Sequence, residues 1–125
     1  MSPEQAMVRE FHEKYGLPVG SRPAQISVKD RLRRARLICS EAAEFLEAAD
    51  QGDFVEMVDA LADILVVTYG AAVEMGVDLG PIFAEVHRSN MSKDGGTDAG
   101  GKVLKGPGFR PPDVLGELHR QGYAG

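Results

Sequence analysis

Apolar and polar residues recur with helical spacing along most of the chain, and they predict a series of helices separated by short breaks. The most apolar stretch is 54–77, FVEMVDALADILVVTYGAAVEMGV, which is apolar on nearly every side. A helix of this kind is not a one-sided surface helix, and we expect it to be buried on several faces. The rest of the chain is expected to pack around it.

Two helices are predicted before this central segment. Residues 3–14 follow Ser2, which suits a helix cap, and begin with a proline, which suits the first helical position. The second helix starts after Ser27 and ends near Gly52. Its apolar residues at helical spacing are interpreted as core: Leu32, Ala35, Ile38, Ala42, Phe45 and Ala49.

The C-terminal part of the chain predicts two shorter helices and a long loop. One helix begins at 78 or 80 and runs through IFAEVHRSNMSK, and the other covers about 112–121. The segment 94–111 is rich in glycine and lysine and is predicted to be irregular, with Val103-Leu104 too short for a strand. The predicted fold is therefore all-α, a single domain over 1–125 that forms an antiparallel bundle of about four to five helices.

Acidic side chains interrupt the apolar pattern of the 54–77 helix. Its first half carries three of them on one stripe, in the spacing i, i+3, i+7: Glu56, Asp59 and Asp63. Burying like charges so close together is costly unless a cation compensates them. The stripe therefore predicts either a divalent-cation site or ion pairs with Arg33, Arg34 or Arg36 of the preceding helix.

A second acidic pair, Glu41 and Glu44, lies at the rim of the preceding helix. The break at 51–53 is so short that the two helices must be antiparallel neighbours, and four or five carboxylates then converge on one volume. An all-oxygen ligand set favours Mg²⁺ or Mn²⁺. Together with the lysines of the 94–111 loop, such a site suggests hydrolysis of a nucleotide-like phosphoanhydride.

Composition narrows the class of function. A net charge of −5 argues against nucleic-acid binding, which depends on basic contacts with phosphates. Four acids within 54–77 argue against a membrane span. The single cysteine, Cys39, allows no intrachain disulfide, and the polar N-terminus carries no secretory signal. A cytoplasmic location is expected.

These features together resemble the all-α nucleoside triphosphate pyrophosphohydrolases, which include the MazG-like enzymes and phosphoribosyl-ATP pyrophosphohydrolase. The resemblance rests first on the carboxylates of the two central helices: Glu41-Ala-Ala-Glu44, then Glu56-Met-Val-Asp59 followed by Asp63-Ile-Leu-Val-Val. The resemblance extends over nearly the whole chain through HRSNMSK at 87–93 and GKVLKGP at 101–107. These stretches resemble the MazG-related branch, so phosphoribosyl-ATP itself is a less favoured substrate.

The resemblance implies a reaction and a set of site residues. A nucleoside triphosphate, as a deoxynucleotide or a non-standard nucleotide, would be hydrolysed to the monophosphate and pyrophosphate to clean the nucleotide pool. Mg²⁺, or Mn²⁺ in its place, would be held by Glu41, Glu44, Glu56, Asp59 and Asp63, with Glu41 or Glu44 activating water. The residues implied to contact phosphates are Asn90, Lys93, Lys102 and Lys105.

The resemblance leaves the second metal-binding pair open. Eleven residues separate Glu44 from Glu56, at the short end of the family's spacing. In one register the pair is Glu56 with Asp59, and in the other it is Asp59 with Asp63. We favour Asp63 and Asp59 over Glu56.

The resemblance and the apolar content of 54–77 both indicate an oligomer. The resemblance implies a homodimer or homotetramer that completes the bundle, and the apolar excess of 54–77 agrees with helices that pack across subunits. The alternative functions are a non-catalytic nucleotide-binding protein and a purely structural oligomeric helical protein.

Overall fold

Two long helices joined in a tight hairpin set the architecture of the protein. The computed structural model describes all residues, 1–125. The prediction of an all-α fold is confirmed. The chain forms five helices in the order α1 (Pro3–Lys14), α2 (Val28–Gln51), α3 (Phe54–Met75), α4 (Leu79–Asn90) and α5 (Val114–Arg120).

The hairpin turn is fixed by two capping residues. Gly52 adopts a left-handed conformation with φ 67°, and its N–H donates to the carbonyls of Ala48 and Ala49. Asp53 caps α3, because its side chain accepts a hydrogen bond of 3.1 Å from the Glu56 N–H. The connection is therefore too short for any arrangement other than antiparallel neighbours.

Another capped turn ends α3, and the 15–27 connector closes over it. Gly76 is left-handed with φ 71°, and its N–H donates to the carbonyls of Ala72 and Val73. The Gly20 N–H donates to the Val73 carbonyl at 2.8 Å, and the Ala24 N–H donates to the Met75 carbonyl at 3.1 Å. The connector is thus bound to the C-terminal end of α3.

The buried apolar residues form a small core along the contacts of α3 with α1 and α2. These residues are Val8, Ala48, Ala60, Ala72 and Val73. The expectation that α3 is buried on several faces is wrong for its N-terminal half within one chain, where Phe54 is 76% exposed and Val55 is 73% exposed. The physical reason is that α1 and the connector cover only the C-terminal half of α3.

The predicted core stripe of α2 is also largely wrong. Of its six residues only Ile38 and Phe45 are half-buried, whereas Leu32, Ala35, Ala42 and Ala49 are exposed. The side of α2 that faces α3 instead carries polar residues, with Arg34 buried and Glu41 half-buried. The predicted apolar stripe is largely exposed because these two charged side chains occupy part of the interface with α3.

A buried polar group ties α1, α2 and α3 together. Glu74 is buried and is paired with Arg33 and Arg34 of α2. His12, 2% exposed, lies at 2.8 Å from the Pro18 carbonyl through its Nδ1. The interior end of the bundle is therefore held by directional polar contacts as well as by apolar packing.

Gly70 provides the space that this polar group needs. A Cβ at this position would clash with the Arg34 guanidinium and would lie 3.2 Å from His12 Nε2. We therefore expect Gly70→Ala to lower the free energy of unfolding by about 1–3 kcal/mol, because buried side chains would have to move. Denaturant unfolding measures this loss. Gly108→Ala is the matched control, since a Cβ there meets nothing within 4 Å, and an equal loss in both variants would contradict the prediction.

The C-terminal segment is more regular than predicted. Strands β1 (Asp94–Thr97) and β2 (Val103–Lys105) pair antiparallel, so the prediction of a wholly irregular segment at 94–111 without strands is wrong. Asp98 closes the intervening turn, because its Oδ1 accepts from the N–H groups of Gly100 and Lys102, both at 2.9 Å. The strand signal in the sequence was weak because glycines outnumber apolar residues here.

The Glu85–Arg88 ion pair within α4 holds the residues just before α5 through hydrogen bonds, one of them from the Arg88 side chain to the Pro111 carbonyl. The carboxylate of Glu85 accepts hydrogen bonds from the Arg88 side chain and, at 2.7 Å, from the Asp113 N–H. These contacts, the Arg88 side chain foremost, lower the pKa of Glu85 to about 2. α5 therefore begins beside α4 rather than extending into solvent.

No single helix has the length and hydropathy needed to cross a membrane, although α3 and α4 taken as a pair meet that test with a bend of 115° at their junction.

Candidate functional site

Three carboxylates meet across the α2–α3 interface in the half of the hairpin nearer the turn. Oxygen atoms of Glu41, Glu44 and Asp63 all lie within 4.8 Å of one another. Glu41 and Glu44 are one turn apart on α2, and Asp63 faces them from α3 because the helices run antiparallel. The structure thus brings one acid of the α3 stripe, Asp63, against the acidic pair of α2.

Asp59 lies beside this group, one turn before Asp63 on the same helix. Burial raises the pKa of Asp63, and the adjacent carboxyl groups of Asp59 and Glu44 raise it further. Burial likewise raises the pKa of Glu41, followed by the effects of Glu44, Asp63 and Asp59. Neighbouring carboxylates therefore oppose the ionisation of Glu41 and Asp63, as expected for close like charges.

Glu56 is placed differently from the other predicted ligands. It is not one of the three converging carboxylates, and instead it lines an open hollow of about 390 Å³ next to them. Glu44 belongs to both the carboxylate group and the hollow, and Asp59 of α3 and Glu47 of α2 also line the hollow. The sequence places Glu47 one turn after Glu44 on the same edge of α2, where a solvated side chain was expected. Of the three stripe acids, the structure places only Asp63 in the group with Glu41 and Glu44.

Two of the three arginines proposed as partners for these acids are engaged elsewhere, and the third, Arg36, is exposed and forms no ion pair. Arg33 Nη2 lies 2.8 Å from Glu74 Oε1, and Arg34 Nη1 lies 3.1 Å from Glu74 Oε2. None of the ion pairs in the structure involves the stripe acids of α3. The alternative in which these acids form salt bridges with α2 is therefore wrong.

The predicted phosphate-binding residues fall into two sets. Asn90, Lys93 and Lys102 line one hollow of about 610 Å³ between the end of α4 and the β-hairpin. Lys105 is not part of it, since its Nζ lies over the Phe109 ring at 4.9 Å from the centroid. This hollow shares no lining residue with the carboxylate group.

The donor set fits a divalent cation. Its ligands are carboxylate oxygens without cysteine or histidine, which suits a hard cation such as Mg²⁺ or Mn²⁺. Glu41 Oε2 is buried and has no hydrogen-bond partner. A buried carboxylate oxygen without a partner is costly, and a cation at this point would satisfy it.

The fold and this carboxylate set define the class as an all-α protein with a group of acids suited to a divalent cation. The family model described as phosphoribosyl-ATP pyrophosphohydrolase matches residues 8–90. The chain belongs to that family, within the MazG-like all-α nucleoside triphosphate pyrophosphohydrolase superfamily. A comparison with individually curated proteins gives no significant match.

Family membership indicates pyrophosphohydrolase activity on a nucleotide phosphoanhydride, in a superfamily that generally depends on divalent metals. The matched region contains all five acids and Asn90, and it ends before Lys93, Lys102 and Lys105. The carboxylate group therefore lies within the part of the chain that the family model covers.

We expect divalent-metal affinity to fall as the pH is lowered through the raised pKa values of Glu41 and Asp63. A carboxylate must lose its proton to bind a metal, and burial and neighbouring acids hold these protons to higher pH than usual. Calorimetric titration of Mn²⁺ from about pH 4, near the ordinary pKa of a carboxyl group, up to neutral pH would measure it. A pH-independent affinity over this range would contradict the prediction.

Proposed function

We propose that the protein is a divalent-metal-dependent nucleoside triphosphate pyrophosphohydrolase that converts a deoxynucleotide or non-standard nucleotide to its monophosphate and pyrophosphate. The observation that carries this proposal is the convergence of Glu41, Glu44 and Asp63 within 4.8 Å. Three acids placed so closely in a partly buried interface destabilise the fold, and a metal-binding role gives a reason for keeping them.

Each carboxylate is given a role by its surroundings. Glu41, Glu44, Asp59 and Asp63 would hold Mg²⁺ or Mn²⁺, which when bound supplies positive charge to the phosphates and makes water more acidic. Glu41 is the better candidate to orient water and accept its proton, because its raised pKa brings it closer to the working pH. Glu56, at the edge of the neighbouring hollow, would be an outer member of the site.

The hollow lined by Asn90, Lys93 and Lys102 is the proposed contact for the leaving phosphates. The ammonium groups of both lysines are free of ion pairs, so they are available to an anion. Lys105 is the weakest of the original candidates because its ammonium lies on the Phe109 ring.

We also propose that the active form is a homodimer or homotetramer, located in the cytoplasm. The support is the apolar surface at the N-terminal half of α3, which a single chain leaves open: Phe54, Val55, Val58, Leu61 and Leu65. A second copy is the simplest cover for it. Light scattering coupled to size exclusion would test this part, and a monomer at micromolar concentration would contradict it.

The experiment that tests the activity is pyrophosphate release from a panel of nucleotides with Mg²⁺, Mn²⁺ or EDTA. The panel contains the common ribo- and deoxynucleoside triphosphates, dUTP, oxidised nucleotides and phosphoribosyl-ATP. Metal-dependent release from one or a few deoxynucleotides or non-standard nucleotides would support the proposal. Release from phosphoribosyl-ATP alone would overturn the substrate assignment, and nucleotide-induced thermal stabilisation without release would favour the non-catalytic binding protein.

A further inference from the structure

A second charged group lies in the same α2–α3 interface as the carboxylates, towards the opposite end of the hairpin. Its side chains are deeply buried, with Arg34 8% exposed and Glu74 1% exposed. Arg34 Nη1 lies 3.1 Å from Glu74 Oε2, and Arg34 Nη2 donates to the Val67 carbonyl at 2.8 Å. One side chain of α2 thus contacts two points of α3 that are about two turns apart.

The α2–α3 interface has space for the Arg34 side chain at only one position along the helix axes. Its guanidinium lies against Gly70, where any Cβ would clash with it. Gly70 is the only glycine within α3. A displacement of α2 along α3 would bring the guanidinium against Val67 or Val73 side chains instead, so the glycine specifies the register of the two helices.

The spacing links this register to the carboxylates. Arg34 precedes Glu41 by seven residues on α2, and Gly70 follows Asp63 by seven residues on α3. Seven residues are about two helical turns, so the members of each pair project from the same side of their helix. Arg34 is therefore opposite Gly70 in the same register in which Glu41 is opposite Asp63.

The capped turn joins the two helices at one end, and the Arg33–Glu74 hydrogen bond of 2.8 Å belongs to the same charged group as Arg34. The contacts between the turn and this group determine the relative height of the helices only weakly. The residues buried nearer the turn are the alanines Ala48 and Ala60, which are small and whose attraction is non-directional. A hydrogen bond of 2.8 Å does not survive a slide of one residue, about 1.5 Å along a helix. The carboxylates themselves repel one another and would favour separation.

We propose that Arg34, Glu74 and the Val67 carbonyl form a register clamp, whose role is to hold Glu41 and Glu44 of α2 at the height of Asp63 of α3. Arg34 and Glu74 are then positioning residues for the carboxylate site, two turns away from it. This inference rests on the proposed function, because it assigns the clamp to the metal-binding arrangement of the acids.

The test removes the clamp without leaving a buried charge. Replacing only one partner would leave an unpaired ion, whereas replacing both with apolar residues of similar size is often neutral or stabilising. The variant is therefore the double substitution Arg34→Met with Glu74→Met. Arg36→Met is the matched control, because Arg36 is an exposed arginine of the same helix.

Two measurements are made on each full-length variant. The first is Mn²⁺ affinity without nucleotide, from the electron paramagnetic resonance signal of free Mn²⁺. The second is the distance between spin labels on Cys39 of α2 and on Ala62→Cys of α3, with labelled chain diluted into unlabelled chain. Both labelled positions are exposed, and Tm is recorded alongside.

We expect the double variant to keep a cooperative unfolding transition, to bind Mn²⁺ at least tenfold more weakly, and to show a shifted or broadened label distance. The Arg36→Met control should match the native chain in both measurements. If the clamp served stability alone, Mn²⁺ affinity would follow Tm and would remain native in a stable double variant. A native affinity together with a native distance would overturn the proposal.

The failure of the proposed function has a different signature. In that case the native chain itself binds no Mn²⁺ and releases no pyrophosphate from any nucleotide, and the assignment of the clamp to a metal site falls with it. The label distance still decides whether Arg34 and Glu74 set the register of the helices, since that measurement requires no metal.

Discussion

Asp63→Asn is expected to lower metal-dependent pyrophosphate release by about a hundredfold or more, since even the outer partners of metal ligands contribute 10–100-fold. The amide removes one of three converging carboxylates while keeping the size of the side chain. The same substitution should raise Tm of the metal-free protein, because it removes repulsion from Asp59 and Glu44. Steady-state kinetics and thermal unfolding in EDTA measure the two effects.

The combination of lost activity and gained stability separates a functional role for Asp63 from a structural one. Asp50→Asn is the matched control, because Asp50 is exposed at the end of α2 and outside the carboxylate group. The control should keep its activity within about twofold and its stability within about 0.5 kcal/mol. Full activity in Asp63→Asn would remove this residue from the site.

Arg34→Met as a single substitution is expected to lower the free energy of unfolding by about 3 kcal/mol, because it leaves the buried Glu74 carboxylate with one cation instead of two. Arg33 remains, but its side chain is 38% exposed and its contact is correspondingly weaker. Urea unfolding at neutral pH measures the change. Arg36→Met should alter stability by less than about 0.5 kcal/mol, and a similar loss in both variants would show that Arg34 is not specially placed.

The helices and their ends could be predicted because their signals are local. Ser2, Ser27 and Asp53 cap the starts of α1, α2 and α3, and Gly52 and Gly76 end α2 and α3 in left-handed conformations. Each of these signals depends on residues within one turn of the boundary. The antiparallel hairpin could be predicted from the length of its turn. This geometry also predicted that acids of α2 and α3 lie close together.

The faces of the helices could not be predicted in the same way. Periodicity identified an apolar stripe on α2, but this stripe is largely exposed, and the buried side carries Arg34 instead. The reason is a non-local partner: Glu74 is forty residues away in sequence, and no local pattern joins the two. The β-hairpin was missed for a similar reason, since the pairing of Asp94 with Lys105 depends on turn geometry at Asp98.

The choice between Glu56 and Asp63 also required the structure. Both lie on the stripe that the sequence identified, and spacing alone supports either pair. The two residues differ in their position along the axis of the hairpin. Asp63 is opposite Glu41, whereas Glu56 lies two turns nearer the hairpin turn and faces an open hollow.

Metal-dependent pyrophosphohydrolysis is tested most directly by a ³¹P NMR spectrum of the products that the native chain forms from a nucleoside triphosphate that it turns over. We expect monophosphate and pyrophosphate in equal amounts, formed with Mg²⁺ or Mn²⁺ and not in EDTA. Release of orthophosphate with a nucleoside diphosphate, or turnover that is unchanged by EDTA, would contradict it.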